Sequence, residues 1–228
     1  HIRAKLRAEG VQDIERRVLQ LVPTKDGKLY YQTPEGDYWR VYVLIENASS
    51  REKVTPESAF LAGQAFGEFQ CQLSDIDTTQ LIETIPNFHN IEYRLQQLDE
   101  ALAADPLGRA AKCKDIIREI NSRRDKMCLA EQLHREGRLP KRINHCDTKV
   151  NNMMFDEAGK PLCIVDLDTV MPGYVLSDFG DFMRTAANTG DEDDRDLSRV
   201  GVNLAVFEAY TKGYLSKAAF LTDLEREL

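Results

Sequence analysis

Early in the chain, apolar and polar residues alternate in short runs, and later they switch to a helical period. Between residues 17 and 46 the runs RVLQLV, KLYYQT and YWRVYVLIE carry the β-branched and aromatic residues of strands, separated by the turn signals TKDG and PEGD. They predict an antiparallel meander. Ahead of it, Ile2 and Leu6 belong to an amphipathic helical pattern with no N-cap before it. Thr55 then Pro56 sets an N-cap and a first helical position, and Phe66, Phe69 and Leu73 continue one apolar face. Further helical stretches run from about residue 91 to 102 and from about 110 to 136. The second sets Ile116, Ile117 and Ile120 opposite many Arg and Lys, a solvated face. NMMF and LCIVD read as two short strands around the turn DEAGK, and the pattern from Asp178 onward is helical. The reading is an α+β chain: a small antiparallel sheet, then a larger, mainly helical part, with no internal repeat and no low-complexity segment.

Composition narrows the function classes. At 228 residues and 42% hydrophobic, the chain can bury the core of one large domain or two small ones. Its 38 acidic against 30 basic residues, net −8, argue against nucleic acid or a membrane surface as the main partner, because those need clustered Lys and Arg. Five cysteines, odd in number and without C-x-x-C spacing, point to a reducing compartment, and the protein reads as cytoplasmic. No run of 18 apolar residues exists. A chain that opens on His1 inside a helical pattern reads as a fragment. The acidic run DEDDRD at 191–196 is either a metal ligand set or an exposed loop, and such runs are ordinarily the latter.

The segment RINHCDTKVNNMMF, 142–155, concentrates the chemistry. Asp147 follows a strand and precedes a tight loop, where a carboxylate can accept a proton from an attacking hydroxyl. Asn152 offers a neutral oxygen at the end of that loop, and Asp166 is the next carboxylate on an apolar strand, reached through the hairpin. Hard oxygen ligands of this kind suit Mg²⁺, which takes its other ligands from phosphates and water. The order H-x-D-x-x-x-x-N, strand, Asp is a phosphoryl-transfer arrangement, with Asp147 as base, Asn152 and Asp166 on metal, and Lys149 near the transferred phosphate. His145 reads as a strand-end brace for the loop. Asp178 heads a literal DFG but begins a helical pattern after PGYVLS, so it reads as a first-turn residue bracing the loop from below rather than as the metal carboxylate.

HCDTKVNN, IVDLDTVMPG and SDFGDFMR resemble the catalytic segments of the aminoglycoside-phosphotransferase-like kinases, and among them most closely the bacterial N-acetylhexosamine 1-kinases. The resemblance implies a protein-kinase-like fold, with residues 1–47 as an N-lobe remnant (end of an αC-like helix, meander, hinge) and 48–228 as a helical C-lobe. ATP would be the donor and Mg²⁺ the metal. It implies Asp147 as catalytic base, Asn152 and Asp166 as metal ligands, Asp168 as a second metal or substrate contact, and backbone adenine contacts around Glu46 and Asn47. NFHNIEYRL resembles the acceptor-side insertion, which makes His89 a candidate substrate contact, although a lone His beside Phe88 and Asn90 is more often a helix-cap neighbour. The implied acceptor is a sugar hydroxyl, the anomeric one of an N-acetylhexosamine, with aminoglycoside, choline or homoserine as alternatives on the same catalytic grammar. The phosphate-covering loop and strand lysine of such kinases would lie upstream of residue 1, so these residues alone are expected to be inactive, and further sugar contacts would lie past residue 228. Two other classes compete. IVDLDTV also fits the D-x-D-x-[TV] pattern of haloacid-dehalogenase-type phosphatases, which needs a Rossmann-like core after it, whereas the residues after Val170 read as helix. A kinase-like lobe that binds without turnover is the other.

Overall fold

The computed structural model describes residues 1–51, 53–191 and 193–228. Short helices α1 (Ile2–Ala8) and α2 (Ile14–Arg17) precede the paired strands β1 (Tyr31–Gln32) and β2 (Tyr38–Trp39). The meander is reduced from its expected form. The TKDG turn forms, with Gly27 donating to Thr24 and Thr24 to Lys28, but the segments on either side of it both pair with residues 38–43: Tyr31 opposite Trp39, and Leu21 opposite Tyr42. This region carries a row of exposed apolar side chains, Leu29, Tyr31, Trp39, Val41 and Leu44 among them.

The helical part opens with α3 (Pro56–Leu73), capped as its sequence predicts: Thr55 accepts from the Ser58 N–H at 3.2 Å and Ser58 Oγ accepts from the Thr55 N–H at 2.9 Å. Two orphan donors of the first turn are thereby satisfied. Next come α4 (Ile91–Ala104), α5 (Lys114–Met127) and α6 (Leu129–Arg135). The single helix expected over 110–136 is a 3-10 turn at Ala110–Cys113 and two α-helices meeting at Cys128, a break marked by no proline or glycine. Strands β3 (Arg142–Asn144), β4 (Met153–Phe155), β5 (Pro161–Ile164) and β6 (Met171–Gly173) form two antiparallel pairs, β3 with β6 and β4 with β5. Then α7 (Val175–Ala186), α8 (Leu204–Lys217) and α9 (Asp223–Glu227) complete the chain. The PGYVLS stretch, read as a loop, is instead the end of β6 and the first turn of α7; Pro172 lies opposite Ile143 in a two-stranded ladder, where a strand proline is tolerated.

The core centres on α3 and α8. Phe182 stacks on Tyr210 at 3.8 Å between centroids, and Phe66, Met153 and Phe155 fill the space beneath. Three glycines let the helices approach to backbone contact. A Cβ on Gly67 would stand 2.7 Å from the Tyr214 carbonyl, and Cβ atoms on Gly63 and Gly213 would collide with the carbonyls of Tyr210 and Phe60. Only a residue without a side chain fits there. Of the acidic run 191–196, Glu192 lies outside the described residues. Asp194 and Asp196 pair with Arg199, and among the described residues no cluster of three or more His, Cys, Asp or Glu could hold a metal.

Candidate active site

The loop between β3 and β4 is held from beneath by α7. Asp178, in the first turn of α7 and 2% exposed, accepts the backbone N–H groups of His145 and Cys146, both at 2.8 Å. Asp181 lies one turn on and accepts the Thr148 N–H at 2.8 Å, while the Thr148 hydroxyl donates to the Asp178 carbonyl at 2.6 Å. Three backbone donors of an irregular segment are thus taken up by two carboxylates on one helix face, which spares a buried turn those orphan amides. Cys146 sits at φ 65°, a left-handed conformation uncommon for a side-chain-bearing residue. Burial pushes the Asp178 carboxyl up to about 6 against the downward pull of those amide donors. Burial likewise raises the Cys146 thiol far above its ordinary range, which disfavours the thiolate.

His145 is fully buried against Phe66 and Phe69 and joins two parts of the site. Its Nε2 faces the Val165 carbonyl at 2.9 Å and must carry the hydrogen; its Nδ1 faces the Asp147 N–H at 3.3 Å and must accept. The neutral ring therefore ties the backbone of Asp147 to the residue preceding Asp166. A second tie runs alongside, because the Val165 N–H donates to the Asn152 carbonyl at 2.8 Å. Asp147, Asn152 and Asp166 are brought to one edge by these bonds.

At that edge the Asn152 amide donates to the carbonyl of Asp147 at 2.9 Å and to its Oδ2 at 3.0 Å, and the Lys149 ammonium stands 3.4 Å from Asp147 Oδ1. The Asn152 Oδ1 and the carboxylate of Asp166 accept no hydrogen bond among the described residues. Asp166 is at φ 59° and exposed. Asp168 is engaged differently: its carboxylate is paired with Arg40, which reaches over from just past β2. The Glu46 and Asn47 carbonyls receive the Arg16 guanidinium at 3.1 and 3.4 Å, and Ser49, just beyond, pairs with Phe155 of β4. These two residues therefore lie beside the strand that leaves Asn152. His89 stacks on Phe88 and lines a cleft of about 80 Å³ with Glu83, Glu131, Lys141, Cys146 and Tyr174, within electrostatic reach of Asp147. Burial holds its imidazole below the usual range. A larger cavity, about 440 Å³ between α1, α3 and β5, is lined by none of His145, Asp147, Asn152 or Asp166.

The sequence model of the phosphotransferase enzyme family, APH, matches residues 4–219. The chain belongs to that family. As an APH chain it is similar in structure to the amicoumacin kinase hAmiN in complex with AMP-PNP, Ca²⁺ and Ami (TM-score 0.60, 14% identity, covering 98% of this chain and 62% of that one). It is similar also to an aminoglycoside phosphotransferase from Alicyclobacillus acidocaldarius (0.60, 14%, 94% and 63%) and to an ethanolamine kinase of Plasmodium vivax (0.52, 15%, 99% and 60%). These likenesses establish a kinase-like α+β fold. The chain spans a little under two thirds of the length of each of these three relatives. No helix among the described residues is long and apolar enough to cross a membrane.

Sequence reasoning missed Asp181, Thr148, Arg40 and Gln70. Asp181 carried a usable signal, since it stands three residues after Asp178 and so on the same helix face. Gln70 is a polar residue on the apolar face of Phe66, Phe69 and Leu73, which marks a buried group in need of a partner. Arg40 carried none.

Proposed function

We propose that the gene product containing these residues is a small-molecule kinase that transfers the γ-phosphoryl group of ATP to a sugar hydroxyl, the anomeric hydroxyl of an N-acetylhexosamine. The observation that carries the transfer is the edge shared by Asp147, Asn152 and Asp166. Asp147 accepts the proton of the acceptor hydroxyl as its oxygen bonds to the γ-phosphorus and the bond to the β-phosphate oxygen breaks. Lys149 lies close enough to that carboxylate to face the transferred group. The Asn152 Oδ1 and the Asp166 carboxylate are hard oxygens that accept no hydrogen bond among the described residues, which fits Mg²⁺, an ion that takes few protein ligands. When bound, the ion would neutralise charge on the phosphate oxygens. Asp168, already paired with Arg40, would act as a support at the edge of the metal site. In this reading residues 1–47 supply the hinge, at Glu46 and Asn47, and 48–228 the helical lobe.

The acceptor class is argued from the cleft beside Cys146. Its carboxylates are already engaged: Glu83 with Lys141 at 3.3 Å, and Glu131 accepting from the Tyr174 hydroxyl at 2.8 Å. Burial disfavours the charged form of His89. Lys141 compensates Glu83 while Glu131 keeps its charge, and the cleft's mixed donors and acceptors can hydrogen-bond the hydroxyls of a sugar. A screen of acceptors with ATP and Mg²⁺, read by phosphorus NMR, is expected to give a sugar 1-phosphate. In the same assay Asp147→Asn lowers turnover by about 10²–10⁴-fold with nucleotide binding retained, the range for a positioned general base. Phosphate found instead on an aminoglycoside, choline, ethanolamine or homoserine hydroxyl overturns the acceptor assignment. Loss of ATP affinity without loss of turnover in the variant removes Asp147 from the role of base.

A further inference from the structure

The carboxylate that carries the catalytic loop is itself held by a polar chain reaching to α8. Gln70 of α3 donates from Nε2 to Asp178 Oδ2 at 2.8 Å, and the Gln70 Oε1 accepts the hydroxyl of Tyr214 in α8. Gln70, Asp178 and Tyr214 are 3%, 2% and 3% exposed, so no bulk water can replace any link. The direction of the chain is fixed by its chemistry: an ionised carboxylate only accepts, so the amide must present its NH₂ to Asp178 and its oxygen to the tyrosine. The helices that carry the two side chains touch backbone to backbone at Gly67 and Tyr214, within a turn of Gln70. Neither side chain has slack. Tyr210, one turn earlier on α8, provides the contrast, since its equally buried hydroxyl bonds to nothing among the described residues.

We propose that Gln70 and Tyr214 are positioning residues for phosphoryl transfer: they fix the Asp178 carboxylate, which fixes the His145 and Cys146 amides and through them the place of Asp147. Asp178 Oδ2 serves both Gln70 and the His145 N–H, so a shift of the amide changes the bond to the loop directly. Buried networks of this kind respond as a unit, and displacement of a reacting group by a fraction of an ångström is costly in phosphoryl transfer, where positioning is most of the catalysis. The proposal rests on the kinase reading above, and its test separates the two.

The test compares Tyr214→Phe and Gln70→Met with Tyr210→Phe, which removes the unbonded hydroxyl of the same helix. Amide hydrogen exchange is expected to quicken about tenfold at His145 and Cys146 in the first two variants, with the amides of β4 and β5 unchanged. Their kcat falls about 10–100-fold while the KM for nucleotide holds, and Tyr210→Phe moves neither quantity. Unchanged protection at both amides in Tyr214→Phe overturns the proposal, as does a uniform loss of protection across the fold, which would mark a structural role only. Should Gln70→Met not fold, Tyr214→Phe decides alone. A wild-type whole gene product that transfers no phosphate overturns the kinase reading and the catalytic half of the proposal, while the exchange data still decide whether the chain holds the loop.

Discussion

Asp166 and Asp178 are both carboxylates beside the loop between β3 and β4, and the structure gives them opposite surroundings. Asp166 is exposed, in a left-handed turn, with no donor pointed at it among the described residues; Asp178 is buried with three. Removing the first costs the fold little and removing the second strands donors away from water, at about 1–3 kcal/mol for each orphaned group. Under the proposed function, Asp166→Ala in the whole gene product is therefore expected to abolish Mg²⁺-dependent turnover with its melting temperature retained. Asp178→Ala is expected to lose about 3–9 kcal/mol of stability, read by urea denaturation. A well-folded Asp166→Ala protein with normal Mg²⁺ dependence would put the metal elsewhere. The local pattern around these residues was readable in the sequence because the loop and hairpin between His145 and Asp166 are contiguous, so spacing alone predicts which groups meet. The partners of Asp178 and Asp168 were not readable. Gln70 stands 108 residues from Asp178 and Arg40 stands 128 from Asp168, and such pairings leave no periodic trace.

At the scale of elements, the same contrast holds between capped helices and short strands. Thr55 and Pro56 announce α3 by local hydrogen-bond chemistry, whereas β3 and β6 are three residues each, are joined through tertiary contact, and include a proline that reads as a loop. The crossing of α3 and α8 is likewise hidden, because nothing local to Gly63, Gly67 and Gly213 marks the backbone that each one faces. Two effects oppose each other when such a glycine becomes alanine. Helix propensity favours alanine by about 1 kcal/mol. Overpacking against a backbone carbonyl, which cannot rotate away, costs about 3 kcal/mol. Gly213→Ala is thus expected to be net destabilising by about 2 kcal/mol. Gly180→Ala is the control, because it lies in α7 with nothing within 4 Å of its Cβ position and is expected to gain about 1 kcal/mol. Urea midpoints that rise in both variants would mean that the two helices do not meet at backbone contact.

For the whole molecule, two buried carboxylates set opposing slopes of stability with pH. Glu225 of α9, its side chain without exposure, is bound by Arg142 of β3 at 2.7 and 2.9 Å and closes a capping box with Thr222. Burial alone would raise its pKa, but Arg142 and Thr222 outweigh burial and hold it below the ordinary value of 4.5. Its contribution is complete above about pH 4.5 and is lost as pH falls through the lower folded value. Asp178 has the reverse sign. Its folded value, about 6, lies above the ordinary 3.8, so the folded state binds the extra proton between those limits and stability is lost as pH rises through about 6. Ionised Asp178 is therefore a cost to the fold at neutral pH, borne where it holds the loop amides. The acid side is tested by Glu225→Gln, which leaves Arg142 short of its counter-charge and is expected to cost about 3 kcal/mol at pH 7, with the difference from wild type shrinking below pH 4.5. The neutral side is tested by Asp178→Asn, which cannot ionise: its stability relative to wild type is expected to rise as pH is taken from 4 to 7. Urea denaturation of the three proteins across that range reads both slopes. A wild-type minus Asp178→Asn difference that is flat from pH 4 to 7 would show that Asp178 titrates at its ordinary value, and that its burial is fully offset by the donors of His145, Cys146 and Gln70.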